Sequence, residues 1–235
     1  MDSETQVQRT YYRHTARDYD AQHLNDDNDE HRFAIRILEA IVDCYGIRSI
    51  LDIGAGTGRV ARHFRNRHPG VRVVSVEPVV ELREIGYANG LSRQELVDGD
   101  VNNLAFRDGE FDLVCEFAVL HHVRNPRRAV DEMLRVAKVG IFISDSNNFG
   151  QGSLLARIAK QSLNALRLWK VADYIKTGGK GYSISEGDGL AYSYSVFNNY
   201  GQIARKCRTF LFNTHPAGMN PYRSASDVAL FGLKR

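Results

Sequence analysis

Ser49-Ile50-Leu51-Asp52-Ile53-Gly54-Ala55-Gly56-Thr57-Gly58-Arg59 decides the fold of this 235-residue chain. The first five residues are short and mostly apolar, the pattern of a central parallel strand. The three glycines let the backbone turn sharply and approach a ligand closely. From Arg59 to His68, Val60, Ala61 and Phe64 recur at helical spacing, and a helix start offers unpaired N–H groups. Strand, glycine turn and helix start together make a seat for a cofactor.

Small departures from the dinucleotide pattern select the cofactor. A nicotinamide or flavin fingerprint needs Gly-x-Gly-x-x-Gly; here the third glycine, Gly58, comes one residue early and Arg59 fills the expected slot. Asp52 stands just before the turn, where a carboxylate repels a pyrophosphate. It suits a ligand with a cationic end, such as S-adenosylmethionine, which has a sulfonium and an ammonium and no phosphate.

Four further segments read as strands: Val71 to Val76, Glu95 to Val101, Phe111 to Phe117 and Gly140 to Asp145. Glu77 directly follows the first of these and lies 23 residues after Gly54, near the spacing at which an acidic side chain meets ribose hydroxyls in such folds. Asp100 is placed to accept from an adenine amino group. Asp52, Glu77, Asp100 and Glu116 thus fall at or near strand carboxyl ends, the edge at which open α/β sheets bind ligands.

With these motifs, the chain resembles the class I S-adenosylmethionine-dependent methyltransferases of small-molecule type. The likeness rests on Leu51 to Gly58, Val76-Glu77-Pro78, Gly99-Asp100-Val101, Phe111-Asp112-Leu113-Val114 running on to Leu120-His121-His122-Val123, and Asn125-Pro126 before a helix to Lys138. Tyr12, Ala16, Tyr19 and Asp20 resemble the family's lead-in. The resemblance implies an α/β Rossmann-like fold: a mostly parallel seven-stranded sheet with helices on both faces, its last strand antiparallel, and a helical and loop insert after the fifth strand. It implies S-adenosyl-L-methionine held by Asp52, Gly54, Ala55, Gly56, Gly58, Glu77, Pro78, Asp100, Val101, Glu116 and Phe117.

The chain is expected to form a single methyltransferase domain over 1–235: a lead-in over 1–30, a cofactor-binding core over 31–145, a substrate-cap insert over 146–195, and a closing helix with two strands over 196–235. The acidic stretch Asn25 to Glu30 reads as a solvated loop. A helix is expected from His31 to Tyr45, with Phe33, Ile37, Leu38, Ile41 and Val42 facing the sheet. Arg208 to Asn213 and Asp227 to Leu233 read as a hairpin-like pair of last strands.

Composition sets outer limits. An apolar content of 43% is that of a globular chain. No apolar run approaches the roughly 20 residues of a membrane span, and no signal-peptide pattern opens the sequence. Cys44, Cys115 and Cys207 are far apart and show no metal or redox spacing; buried free thiols in a cytoplasmic protein are expected. A net charge of +3 does not argue for nucleic acid. Monomer and homodimer both stay open.

The insert is expected to carry substrate specificity, because loops at this edge hold function on a rigid scaffold. Ser153 to Lys176 reads as one amphipathic helix with Leu155, Ile158, Ser162, Ala165, Leu166, Trp169 and Ala172 as its stripe, packed as a lid on the core. Being basic as well, it also raises contact with a membrane surface. Tyr12, Tyr19, His122, Asn147, Tyr182, Tyr192 and Tyr194 are candidate substrate contacts. His121 is the preferred general base and His215 a second candidate. No metal is expected, since Asp145 with Asn147 and Asn148 is too sparse a donor set. These residues suit methyl transfer to a hydroxyl oxygen of a sugar or secondary metabolite. The alternatives are N- or C-methylation of a small molecule, and a non-catalytic S-adenosylmethionine-binding partner protein.

Overall fold

A computed structural model describes residues 3–23, 29–214 and 220–235. Residues 25–28 of the acidic stretch and His215 lie outside the described residues.

Strand β1 (Ser49–Ile53) pairs in parallel with β2 (Arg72–Val76) on one side and β4 (Phe111–Phe117) on the other. β3 (Leu96–Val97) extends the β2 edge, and β5 (Ala137–Ser146) lies beside β4. β9 (Asp227–Lys234) runs antiparallel between β5 and β8 (Cys207–Asn213). Among the described residues the order is β3-β2-β1-β4-β5-β9-β8, a mostly parallel seven-stranded sheet whose last strand is antiparallel. This is the Rossmann-like arrangement that the sequence implied.

Side chains alternate across a strand, so each strand feeds two cores. In β1, Leu51 and Ile53 join Val130, Met133 and Leu134 of α6 (Pro126–Val136) and Ile203 of α9 (Phe197–Ala204) on one face. Ile50 turns to the other face, with Leu38 and Val42 of α3 (Asp29–Tyr45) and Val60 and Phe64 of α4 (Arg59–Arg67). The α6 start is set locally: Asn125 accepts from the Arg128 N–H, and Pro126 occupies the first turn, where a missing donor costs nothing.

Some local expectations shift. In α3 the buried stripe runs through Ala34, Ile35, Leu38, Ile41 and Val42, while Phe33 points outward. Cys44 is exposed; Cys115 and Cys207 are buried free thiols. The lead-in is ordered where described, as α1 (Ser3–Thr15), a short 3-10 turn and α2 (Tyr19–His23); α5 (Val80–Ala88) follows β2.

The insert differs most. The single expected helix is two, α7 (Leu154–Ala165) and α8 (Trp169–Lys176). They break where Arg167 adopts a left-handed φ of 60°. Leu155, Ile158 and Leu166, expected to cover the core, are exposed, and neither helix has a buried residue. The Gly- and Tyr-rich stretch behind them folds into a hairpin, β6 (Tyr182–Ser185) with β7 (Gly189–Tyr192). No described helix is long and apolar enough to cross a membrane.

Candidate functional site

The turn after β1 is built for close approach. Gly54 and Gly56 have φ of 64° and 56°, values that side-chain-bearing residues rarely adopt. A Cβ on Gly56 would stand 2.4 Å from the Tyr19 hydroxyl. Glu77, just past β2, braces the turn: its Oε2 accepts from the Gly56 N–H at 2.9 Å and its Oε1 from the Val79 N–H at 2.8 Å.

Beyond the carboxyl ends of the strands lies a cavity of about 480 Å³. Gly54, Glu77, Pro78, Asp100, Val101 and Phe117 line it, as do the substrate candidates Tyr12, Tyr19 and His122. Asp52 and Ala55 border a small adjoining space of about 20 Å³ beside Tyr19 and Arg59. Gly56 and Gly58 shape the turn without lining the large cavity. Glu116 lines neither the large cavity nor its neighbours and is wholly buried; Oε2 accepts from the Val119 N–H, and Oε1 has no hydrogen-bond partner among the described residues.

Burial dominates the acid chemistry here. It pushes Asp52 and Glu77 up to about 7, against the opposing pull of Arg59 on Asp52 and of two backbone N–H donors on Glu77. Burial, then the neighbouring Asp145, raises Glu116 well above its ordinary carboxylate value. Two carboxyls poised near neutrality in a dry rim can accept hydroxyl donors and gain charge when a cation enters.

The far end of the cavity is closed by a cluster the sequence does not place together. Asp188, in the β6–β7 turn, reaches both histidines: its Oδ2 is 3.4 Å from His121 Nε2 and its Oδ1 3.3 Å from His122 Nε2. His121 Nδ1 sits 2.6 Å from Asp145 Oδ1. Burial alone would lower the His121 pKa, but the Asp145 charge and the hydrogen bonds to Asp145 and Asp188 hold it well above its ordinary value. His121 is therefore an imidazolium clamped between two carboxylates, and it faces a second cavity rather than the first.

His122 is the opposite case. Burial, then the His121 charge, lowers its pKa, so it is neutral. Its Nδ1 lies 2.7 Å from the Leu190 carbonyl, an acceptor, and 3.0 Å from the Gln8 amide nitrogen, a donor, so the surroundings admit the proton on either ring nitrogen. In the tautomer protonated at Nδ1, Nε2 accepts from the Tyr12 hydroxyl at 3.1 Å, at the cavity wall, with Asp188 Oδ1 3.3 Å away.

The second cavity, about 410 Å³, is lined by His121, Asp188, Tyr182, Tyr192 and Tyr194, with Asp173 and Lys176 of α8. Asp188 borders both cavities. Asn147, a substrate candidate, borders neither: it is wholly buried, its amide donates to the carbonyls of Pro221, Tyr222 and Ala225, and its oxygen accepts from Ser195. A side chain with every polar atom spent on the fold has none left for a ligand.

The N-terminal helix roofs the site. Gln8 accepts from the Leu190 N–H at 2.5 Å and donates to the Asp188 carbonyl at 3.1 Å; Tyr11 accepts from the Gly187 N–H, and Glu4 from the Tyr192 hydroxyl. Arg9 pairs with Asp100 at 3.1 Å. Sequence reasoning missed Gln8, Arg9, Arg59 and Asp188. Only Asp188 left a signal, as the single acidic residue between the glycines Gly187 and Gly189.

As for metals, His121, His122 and Asp188 have ligating atoms within 4.8 Å of one another. His121 Nδ1 is already engaged by Asp145 at 2.6 Å and its Nε2 by Asp188 at 3.4 Å.

Residues 51–143 match the family model described as a methyltransferase domain. Demethylmenaquinone methyltransferase of Thermobifida fusca is 37% identical over 105 residues, 43% of this chain and 44% of that protein. Norajmaline N-methyltransferase of Rauvolfia serpentina is 36% identical over 98 residues, 40% of this chain and 33% of that protein. The chain thus spans less than half the length of these curated relatives. Among solved structures, a DhpI–SAM–HEP complex superposes with a TM-score of 0.66 at 18% identity, covering 98% of both chains. A SAM-dependent methyltransferase from Thermotoga maritima does so with a TM-score of 0.58 at 21% identity, covering 96% of this chain and 99% of that one. These structural likenesses are of fold. Residues 51–143 match a methyltransferase-domain model, in a chain whose Rossmann-like fold these solved structures share.

Proposed function

We propose that the protein transfers a methyl group from S-adenosyl-L-methionine to a hydroxyl of a small polar molecule. The observation that carries the cofactor assignment is the pair of buried carboxyls, Asp52 and Glu77, set at the glycine turn beside the cavities. A positively charged ligand restores their ionised form, whereas a diphosphate is repelled. Glu77 and Asp100 line the large cavity where they could take the ribose hydroxyls and the adenine amino group. When bound, S-adenosylmethionine supplies an activated methyl on a sulfonium sulfur.

The chain's own residues then have to align the acceptor, exclude water and receive a proton. The Gln8 bonds to the hairpin and the Tyr12–Tyr19 contact, with ring centroids 5.8 Å apart, cover part of the site. His122 Nε2, with Tyr12 beside it, is the proton acceptor. A hydroxyl needs such a sink and a neutral amine does not, which favours oxygen over nitrogen. Asp188, 3.3 Å away, offsets the charge that appears on His122. His121, the base first suggested by sequence, is a positioning residue in this reading, because an imidazolium cannot take a second proton. The second cavity, polar and Tyr-lined, holds the rest of the acceptor.

The test is methyl transfer from labelled S-adenosylmethionine to hydroxylated and amine acceptors, with cofactor affinity measured by calorimetry. The proposal expects label on oxygen, lost in His122→Ala while cofactor affinity holds. Label on nitrogen alone would overturn the acceptor assignment. Failure to bind S-adenosylmethionine would overturn the whole.

A further inference from the structure

The insert helices turn their apolar residues the wrong way for a core. Leu155 is 79% exposed, Ile175 73%, Leu166 68% and Leu154 63%, and Ile158, Leu168, Val171, Tyr174 and Ile184 are exposed too. In α7, residues 154, 155 and 158 share one face, and in α8, residues 171, 174 and 175 do. So many large apolar side chains exposed on two neighbouring helices mark an interaction surface.

Charge selects the occupant. Residues 153–184 contain six basic side chains, Arg157, Lys160, Arg167, Lys170, Lys176 and Lys180, against one acidic, Asp173. Arg167, Lys170 and Lys180 are exposed and line neither cavity. A second copy meeting this face about a two-fold axis would bury the apolar residues but oppose two basic sets. An anionic bilayer accepts both features: apolar side chains enter the acyl boundary while Lys and Arg meet the headgroups.

We propose that α7, α8 and the loop between them dock the protein on an anionic lipid surface. On its other side α8 presents Asp173 and Lys176 to the second cavity, so docking sets that cavity beside the lipid interface. The contact requires nothing of the methyl acceptor, so it stands or falls apart from the proposed reaction.

The experiment is co-sedimentation of the full chain with vesicles of phosphatidylcholine, with and without about 30% phosphatidylglycerol. Binding is expected to be at least about tenfold stronger to the anionic vesicles, at roughly one step of affinity per surface cation. Arg167→Glu with Lys170→Glu, and separately Leu155→Ser with Ile175→Ser, should each lower it about tenfold or more without changing Tm, since these side chains are exposed. No binding to anionic vesicles, or binding that both variants leave unchanged, overturns the proposal. So does a dimer in sedimentation equilibrium that Leu155→Ser with Ile175→Ser dissolves while the vesicles capture nothing.

Discussion

His121 and His122 stand with ring centroids 3.9 Å apart and titrate in opposite directions. Neighbours in sequence, they are divided by their partners. Asp145 and Asp188 hold His121 charged, and that charge, added to burial, keeps His122 neutral. The structural cation thus tunes the adjacent base.

The two histidines should therefore fail differently. His122→Asn is expected to lower kcat by about 10²- to 10⁴-fold, the usual contribution of a positioned base, with S-adenosylmethionine affinity held. His121→Asn leaves Asp145 buried without its cation, a loss of about 3–5 kcal/mol in stability. Thermal melts beside steady-state kinetics separate the two. A stable, active His121→Asn protein would contradict the clamp.

Cofactor affinity should rise with pH. The Asp52 and Glu77 carboxyls, raised by burial to about 7, hold their protons more tightly folded than unfolded. Their contribution to the stability of the ligand-free protein is full below the usual carboxylate value of about 4 and is lost as pH rises through about 7. A cationic ligand prefers the ionised form, so binding should release protons and strengthen between about pH 6 and 8. Calorimetry in two buffers of different ionisation heat measures the release. A pH-independent affinity would remove these carboxyls from the site.

His121 acts on stability with its own pH dependence. Its folded pKa lies above the ordinary 6.5, so its contribution is full below that value and fades as pH climbs through the raised one. His121→Asn should erase this alkaline loss from a plot of Tm against pH.

Glu77→Ala removes the acceptor of two backbone N–H groups, one of them that of Gly56 in the turn. Hydrogen bonds to charged groups contribute about 1.5–3 kcal/mol each, so S-adenosylmethionine binding should weaken at least about tenfold. Titration calorimetry at constant pH measures it, and unchanged affinity would count against the assigned seat.

Gln8 ties the N-terminal helix to the hairpin through Leu190 and Asp188. Gln8→Ala should speed hydrogen exchange at the Leu190 amide by about fivefold, for a bond contributing about 1 kcal/mol. A slower or unchanged rate would show that the roof is held elsewhere.

Local pattern determined much of this protein. Ser49 to Arg59 specifies strand, turn and helix because apolar periodicity and glycine φ are properties of a few consecutive residues. The parallel order and the acidic rim follow once several such units repeat. The α7–α8 stripe was legible as a stripe, but periodicity names a face without saying what it meets, and in the fold it meets solvent. Asn147 was legible as polar and near the rim, yet its amide is spent on three carbonyls far along the chain.

Tertiary structure alone decided the chemistry at the two histidines. Asp145 and Asp188 reach them across 24 and 67 residues of sequence. Protonation depends on burial and on charges a few ångströms away, and neither distance is written in any local run of residues.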